Sequence, residues 1–251
     1  MYSNYEKMLG RLPTWVLVLA AGAVLLASAY TFDISWTVVI ICGVFGLMGL
    51  GSRSILPWMR EAGVTPNQLT IAGSLLSLAA AVCFAAGWTP AGCLLTIAGA
   101  ALCDVWDGLL SRMYNLGTRF GSVLDSVLDR LSDGFIFSGV AFRLLADGEF
   151  FSGILALYAT VTAQVVSYSR ARAETQIASC EVSLLGGRPE RLALLIYFGL
   201  IGHWLPGLML ICLFQSLTII RRMVFTYRQL KADIRAKERA TRCPPEWKPT
   251  E

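Results

Sequence analysis

Apolar runs recur along almost the whole chain, at about 14–30, 35–51, 67–87, 91–113, 119–145, 150–171, 190–204 and 207–224. A helix of about 20 residues crosses the hydrocarbon of a bilayer. Inside that layer only helices and closed barrels satisfy every backbone polar group. The pattern predicts an all-α, polytopic helical membrane protein. The first two runs and the seventh are on the short side. Eight spans is the expected count, with six spans plus a partly inserted N-terminal hairpin as the alternative.

Composition agrees. Of 251 residues, 38 are charged, or 15%, and 55% are hydrophobic; an ordinary soluble domain carries about 25% charged residues. The mean hydropathy is +0.60. A soluble globular enzyme, a disordered chain and a disulfide-stapled scaffold are all excluded. The seven cysteines are scattered, with no CxxC pair, and read as buried reduced thiols. No cleavable signal peptide is expected, and the first run is expected to stay as a membrane segment.

The breaks between runs are chemically clear. Gly87-Trp88-Thr89-Pro90 and Asp147-Gly148-Glu149 are turns. His203-Trp204-Leu205-Pro206 is a short corner holding the chain's single histidine, far from any site proposed below. Residues 53–63, with Ile55, Leu56, Trp58 and Met59, predict a short amphipathic helix on the surface. The expected organisation is an N-terminal hydrophobic hairpin (1–51), an amphipathic juxtamembrane helix (52–63), a six-helix catalytic core (64–226) and a basic tail (227–251). Lys and Arg fall at alternate ends of the runs, which places both termini on the cytoplasmic side. The net charge of +4 comes mostly from residues 221–251, where nine Lys/Arg face four Asp/Glu. A basic juxtamembrane tail suits an anionic leaflet, so no nucleic-acid partner is expected.

Eleven of the charges lie within 101–150, between apolar runs. Asp104, Asp107, Gly108, Ser111 and Arg112 fall at i, i+3, i+4, i+7 and i+8, one face of one helix. Gly121, Asp125 and Asp129 fall at i, i+4 and i+8, one face of the next. The short connection Asn115-Leu116-Gly117-Thr118 makes the two helices antiparallel neighbours, so four carboxylates can converge. Asp104 is about nine residues from its helix end, roughly 13 Å deep. Uncompensated carboxylates there cost several kcal/mol each, to order of magnitude. Hard divalent ions such as Mg²⁺, Mn²⁺ or Ca²⁺ offset that cost well, and two ions among four aspartates match the two-metal arrangement used on phosphoryl groups. Gly108 and Gly121 leave room for a ligand, and Arg112 could hold a phosphate bidentately. Two other readings of the same residues stand beside this one: interhelical salt bridges to Arg112, Arg119 and Arg130, and an ion-transport site.

The spacing Asp104-x2-Asp107-Gly108-x2-Ser111-Arg112-x8-Gly121-x3-Asp125-x3-Asp129 resembles the signature of the CDP-alcohol phosphotransferase family, with Ser111 in place of the usual Ala. The resemblance covers about residues 52–224. It implies a six-helix core and transfer of a phosphoalcohol unit from a CDP-linked donor, here CDP-diacylglycerol, to an acceptor hydroxyl with release of CMP. It implies two divalent ions, Mg²⁺ or Mn²⁺, on Asp104, Asp107, Asp125 and Asp129, with Asp129 also the catalytic base. Asn67, Asp107, Gly108, Ser111, Arg112, Thr118 and Gly121 would bind the CDP donor, and the Thr65-Pro66-Asn67 stretch with Thr70 would lie near the cytidine.

A second cluster bears on the acceptor. Arg170, Arg172, Arg188, Arg191 and Arg222 all map to one set of helix ends, where they serve either as positive-inside loop charge or as a phosphate site. The stretches Thr118-Arg119-Phe120-Gly121, Asp129–Gly134, Ser167–Glu174 and Arg188–Leu192 resemble the phosphatidylinositol-phosphate and archaetidylinositol-phosphate synthases. In them the acceptor is inositol 1-phosphate, gripped by basic residues matching these five; Arg170 stands where Lys is usual. Asp133 is either a contact to acceptor hydroxyls or a partner for a nearby Arg. The resemblance further implies a homodimer in a prokaryotic plasma (inner) membrane with a cytoplasmic active site. Glycerol 3-phosphate, serine or another alcohol is the alternative acceptor, and a divalent-cation transporter the alternative class.

Overall fold

The computed structural model describes residues 55–177, 179–180 and 186–242, all within the unit Met48–Glu251. The hairpin expected over 1–51 lies outside the described residues. Among the described residues every regular element is helical. After a short helix at 55–61 come α1 (Pro66–Ala85), α2 (Thr89–Tyr114), α3 (Arg119–Ala146), α4 (Phe150–Glu174), α5 (Arg188–Leu200) and α6 (Trp204–Arg242).

Local chemistry sets most boundaries. Thr65 caps α1: its Oγ1 accepts from the Gln68 amide, and Gln68 Oε1 accepts from the Thr65 amide at 2.9 Å. That is a capping box, with Pro66 pre-set for the first helical turn. Asn115 ends α2 in the left-handed region at φ 53°, a conformation its short polar side chain tolerates. Thr118 then caps α3, its Oγ1 accepting from the Gly121 amide at 2.9 Å.

α1 packs most extensively on α3, α3 on α4, and α4 on α6; α2 lies against α1, and α5 against α6. Small residues set the closest approaches. A Cβ on Gly99 would stand 2.6 Å from the Gly73 carbonyl oxygen, and one on Gly139 would stand 2.4 Å from that of Ala81. Backbones meet directly there, as small residues permit between membrane helices. The larger apolar core, with Phe84, Phe137, Val140, Leu195 and Ile211, fills the end of the bundle near the Gly87 and Asp147 turns.

A second, smaller core joins the juxtamembrane helix to α1 and α2. Leu56 and Met59 pack on Leu69 and Leu110, while Trp58 is exposed and the Arg60 guanidinium lies 4.4 Å from the centre of the Tyr114 ring. The apolar face expected to rest on the membrane surface is thus spent on the protein.

Four of the six helices, α1, α2, α4 and α6, are long and apolar enough to cross a membrane, and the chain is an integral membrane protein. α3 has the length, 28 residues, but carries the charged face. α5 has only 13 residues, about 20 Å of helix. Two features differ from the sequence expectation. A π-helical stretch at Ile97–Cys103 interrupts α2 immediately before Asp104, of the kind found at functional sites. The stretch expected only as a basic tail continues α6 as helix to Arg242, exposed over 231–235. Its Arg, Gln, Lys, Glu, Leu and Ala residues are strong helix formers. Five described cysteines are free thiols, four of them buried.

Candidate active site

The π-stretch delivers Asp104 to the start of the last α-helical segment of α2, and from there the helical period places Asp107 one turn on. On α3, Asp125 faces them. Ligand oxygens of Asp104, Asp107 and Asp125 all lie within 4.8 Å of one another. Three carboxylates this close repel one another strongly when ionised. One is tethered: Thr70 Oγ1 of α1 donates to Asp107 Oδ2 at 2.7 Å. Asp125 Oδ1, in contrast, is buried with no hydrogen-bond partner. An orphaned oxygen inside an all-oxygen set fits a hard divalent cation.

Asp129 falls outside that trio. Arg188, at the start of α5, donates from Nη1 to Asp129 Oδ1 at 2.5 Å and stands 3.3 Å from Asp104 Oδ1. Its Nε lies 3.4 Å from Asp133 Oδ1. The Asp133 side chain is 2% exposed, and its other oxygen accepts from Arg191 Nη2. One guanidinium therefore bridges three carboxylates, and one buried carboxylate anchors two arginines. The bridges expected with Arg112, Arg119 or Arg130 do not carry the carboxylates: Arg130 donates to the Ser126 carbonyl of its own helix. Thr70, Gly73, Ser74, Asp104, Asp107, Asp129, Ser132 and Arg188 line one open cleft.

The other anticipated residues gather at the mouth of the same helices. A Cβ on Gly121 would stand 2.7 Å from Asn67 Oδ1 and 2.9 Å from Thr118 Oγ1, so these three lie together. The Arg112 guanidinium folds over Gly108, with nitrogens 3.1 and 3.2 Å from where a Cβ would be. Ser111 Oγ faces Gly117 in the α2–α3 connection.

The five arginines divide. Arg188 and Arg191 join the carboxylates. Arg222 is buried in the α4–α6 seam, donating to the Val166 carbonyl, yet it lies within electrostatic reach of both Arg170 and Arg191. Arg170 pairs with Glu174 at 2.9 Å on its own helix, and Arg172 is exposed.

Sequence reasoning missed three features. The donation from Thr70 to Asp107 links residues 37 apart; the only hint was the polar and small series Asn67, Thr70, Ser74 along one face of α1. Ser132 is buried beside Asp133 and lines the cleft. For Asp133 an Arg partner was one of its two readings, and what was missed is which arginines: Arg188 and Arg191, across more than 50 residues, a contact that no local pattern announces.

Comparison with known proteins gives the family. The chain is 34% identical over 186 residues to the archaetidylinositol phosphate synthase of Methanothermobacter thermautotrophicus, covering 71% of this chain and 91% of that one. It superposes on the phosphatidylinositol phosphate synthase of Mycobacterium tuberculosis crystallised with CDP-DAG bound, at a TM-score of 0.64 and 29% identity, over 70% of this chain and 93% of that one. The same enzyme in complex with manganese and citrate gives a TM-score of 0.63 and 31% identity, over 70% and 88%. The family model for CDP-alcohol phosphatidyltransferases matches residues 63–227, which span every helix that contributes to the cleft. The carboxylate trio on α2 and α3, set among arginines in a helical membrane core, lies inside the matched stretch, and the chain belongs to the CDP-alcohol phosphatidyltransferase family.

Proposed function

We propose that the chain transfers the phosphatidyl group of CDP-diacylglycerol to a hydroxyl of inositol 1-phosphate, releasing CMP, in the biosynthesis of an inositol phospholipid. One observation carries this reading: Arg188 stands in the cleft against Asp104 and Asp129 and shares Asp133 with Arg191, so guanidinium groups meet the carboxylates there. A phosphate on the acceptor is the group that guanidinium groups bind best. A serine acceptor gives no such reason for them.

Asp104, Asp107, Asp125 and Asp129 would hold two Mg²⁺ or Mn²⁺ ions, whose chemistry is to neutralise the donor pyrophosphate and stabilise the charge that develops in transfer. Thr70 fixes the rotamer of Asp107. Asn67, Thr118 and Gly121, with Gly108, Ser111 and Arg112, would seat the CDP moiety. The acceptor oxygen attacks the lipid-side phosphorus, the bond from that phosphorus to the bridging oxygen of CMP breaks, and Asp129 takes the hydroxyl proton. Arg170, Arg172, Arg188, Arg191 and Arg222 would bind the acceptor phosphate. Asp133, with both oxygens engaged by arginines, acts by orienting them.

The enzyme works, in this reading, as a homodimer in a prokaryotic plasma membrane, with its active site and both termini cytoplasmic; the Arg-rich helix ends support that orientation. Membranes carrying the chain, given CDP-diacylglycerol and Mn²⁺, should release CMP with inositol 1-phosphate and not with glycerol 3-phosphate or serine. CMP released only with glycerol 3-phosphate would overturn the acceptor, and no CMP with any alcohol would overturn the reaction.

A further inference from the structure

Arg188 belongs to two sites at once. Its Nη1 lies against Asp129 and Asp104, two of the proposed metal ligands, while its Nε stays beside Asp133. Its side chain is only 14% exposed, so solvent screens these contacts weakly. A divalent ion and a guanidinium held by the same carboxylates of Asp129 and Asp104 repel each other and draw on the same negative charge, so each weakens the other's hold. Asp133 is itself anchored by Arg191, and so provides a fixed point. The tip of Arg188 can leave Asp129 while its Nε keeps that hold.

We propose that Arg188 is the built-in counter-cation of the carboxylate cluster and a positioning residue that couples metal loading to binding of the acceptor phosphate. Before loading, the guanidinium neutralises Asp104 and Asp129. When metal takes those oxygens, the freed tip turns about its Asp133 hold and becomes available to a phosphate. A phosphate that captures the guanidinium first strips the aspartates of their cation and tightens the metal. This rests on the metal-site reading given above, and goes beyond it in making one side chain the link between the two substrates' sites.

The test is Mn²⁺ binding, followed by electron paramagnetic resonance on the full chain in detergent, with inorganic phosphate as the anion. Arg188→Ala removes the competing cation, so Mn²⁺ should bind about tenfold more tightly, or about 1.4 kcal/mol. In the unsubstituted chain, phosphate should tighten Mn²⁺ about fivefold or more, and Mn²⁺ should tighten phosphate by the same factor. Arg188→Ala should abolish this mutual effect, Arg188→Lys should return Mn²⁺ affinity toward the original value, and Arg172→Ala should keep the coupling at higher phosphate. A purely structural ion pair predicts the opposite: unchanged or weaker Mn²⁺ binding in Arg188→Ala. That result, or an equal phosphate effect with and without Arg188, overturns the proposal while leaving the metal site standing. If Arg188→Ala does not fold, absence of a phosphate effect in the unsubstituted chain overturns it. Failure of the unsubstituted chain to bind Mn²⁺ at all removes the metal site and this coupling together.

Discussion

Thr70 and Asp133 show how single side chains set the cleft. Thr70→Val keeps the shape of the side chain and removes the hydroxyl that donates to Asp107. Groups that orient metal ligands typically account for about 10–100-fold in metal affinity or activity. The Mn²⁺ dissociation constant should therefore rise about tenfold, while the KM for the acceptor stays close to its original value. An unchanged Mn²⁺ constant would mean that Asp107 is held by its helix alone. Asp133→Asn acts differently. It leaves Arg191, 3% exposed, with a neutral partner in place of a carboxylate. Breaking a buried pair on one side costs about 3–5 kcal/mol, so thermal unfolding in detergent should shift down by many degrees. Asp133→Asn with the unfolding temperature of the original would show that the pair contributes nothing to the fold. The sequence announced the aspartates because they repeat on helical faces, at Asp104 and Asp107 and again at Asp125, Asp129 and Asp133. It could not announce their partners. Arg188 meets Asp129 across 59 residues, and such a contact depends on where α5 docks, which no local spacing encodes.

At the scale of elements, glycines distinguish contact from convenience. A Cβ on Gly139 would meet the Ala81 backbone at 2.4–2.9 Å, whereas one on Gly134, one and a half turns earlier on α3, meets only Gln164 Nε2 at 3.8 Å. Gly139→Ala must push α3 off α1, and overpacking of this kind costs about 1–3 kcal/mol. Gly134→Ala gains helix propensity, up to about 1 kcal/mol, with no clash. The pair should move the unfolding temperature in opposite directions; a drop for both would place the strain elsewhere on α3. Helix ends were legible because their chemistry is local: Gly87-Trp88-Thr89-Pro90, Asn115-Leu116-Gly117-Thr118 and Asp147-Gly148-Glu149 read as breaks, and helices end at each. Two element-scale features were not. The π-stretch at Ile97–Cys103, in which Gly99 packs on Gly73 of a neighbouring helix, carries no side-chain signature. In the tail, charge announced exposure correctly but left open whether the exposed chain is helical, because solvation constrains the surface of a segment and not its backbone.

Across the whole molecule, the two ends of the bundle differ in charge. One end carries the α2–α3 connection, the start of α5 and the arginines around the cleft; the other carries the Asp147 turn, where Arg143 is already paired with Asp147 at 2.6 Å. A four-residue carboxylate set tolerates a membrane setting only if cations reach it, and those cations come from the end with the arginines. In the proposed reaction charge bias and catalysis favour the same orientation, since CDP-lipid and a phosphorylated acceptor would both be anions entering from one aqueous side. Leu116, in the connection after Asn115, and Gly148, in the turn after Asp147, are both exposed. Leu116→Cys and Gly148→Cys, placed in a background whose native cysteines are replaced, can be labelled with an impermeant maleimide in sealed right-side-out vesicles. Gly148→Cys should react at once and Leu116→Cys only after the vesicles are opened. The reverse order would invert the orientation and place the arginine rim outside, and reaction of both in sealed vesicles would mean that the described helices between them do not separate two compartments.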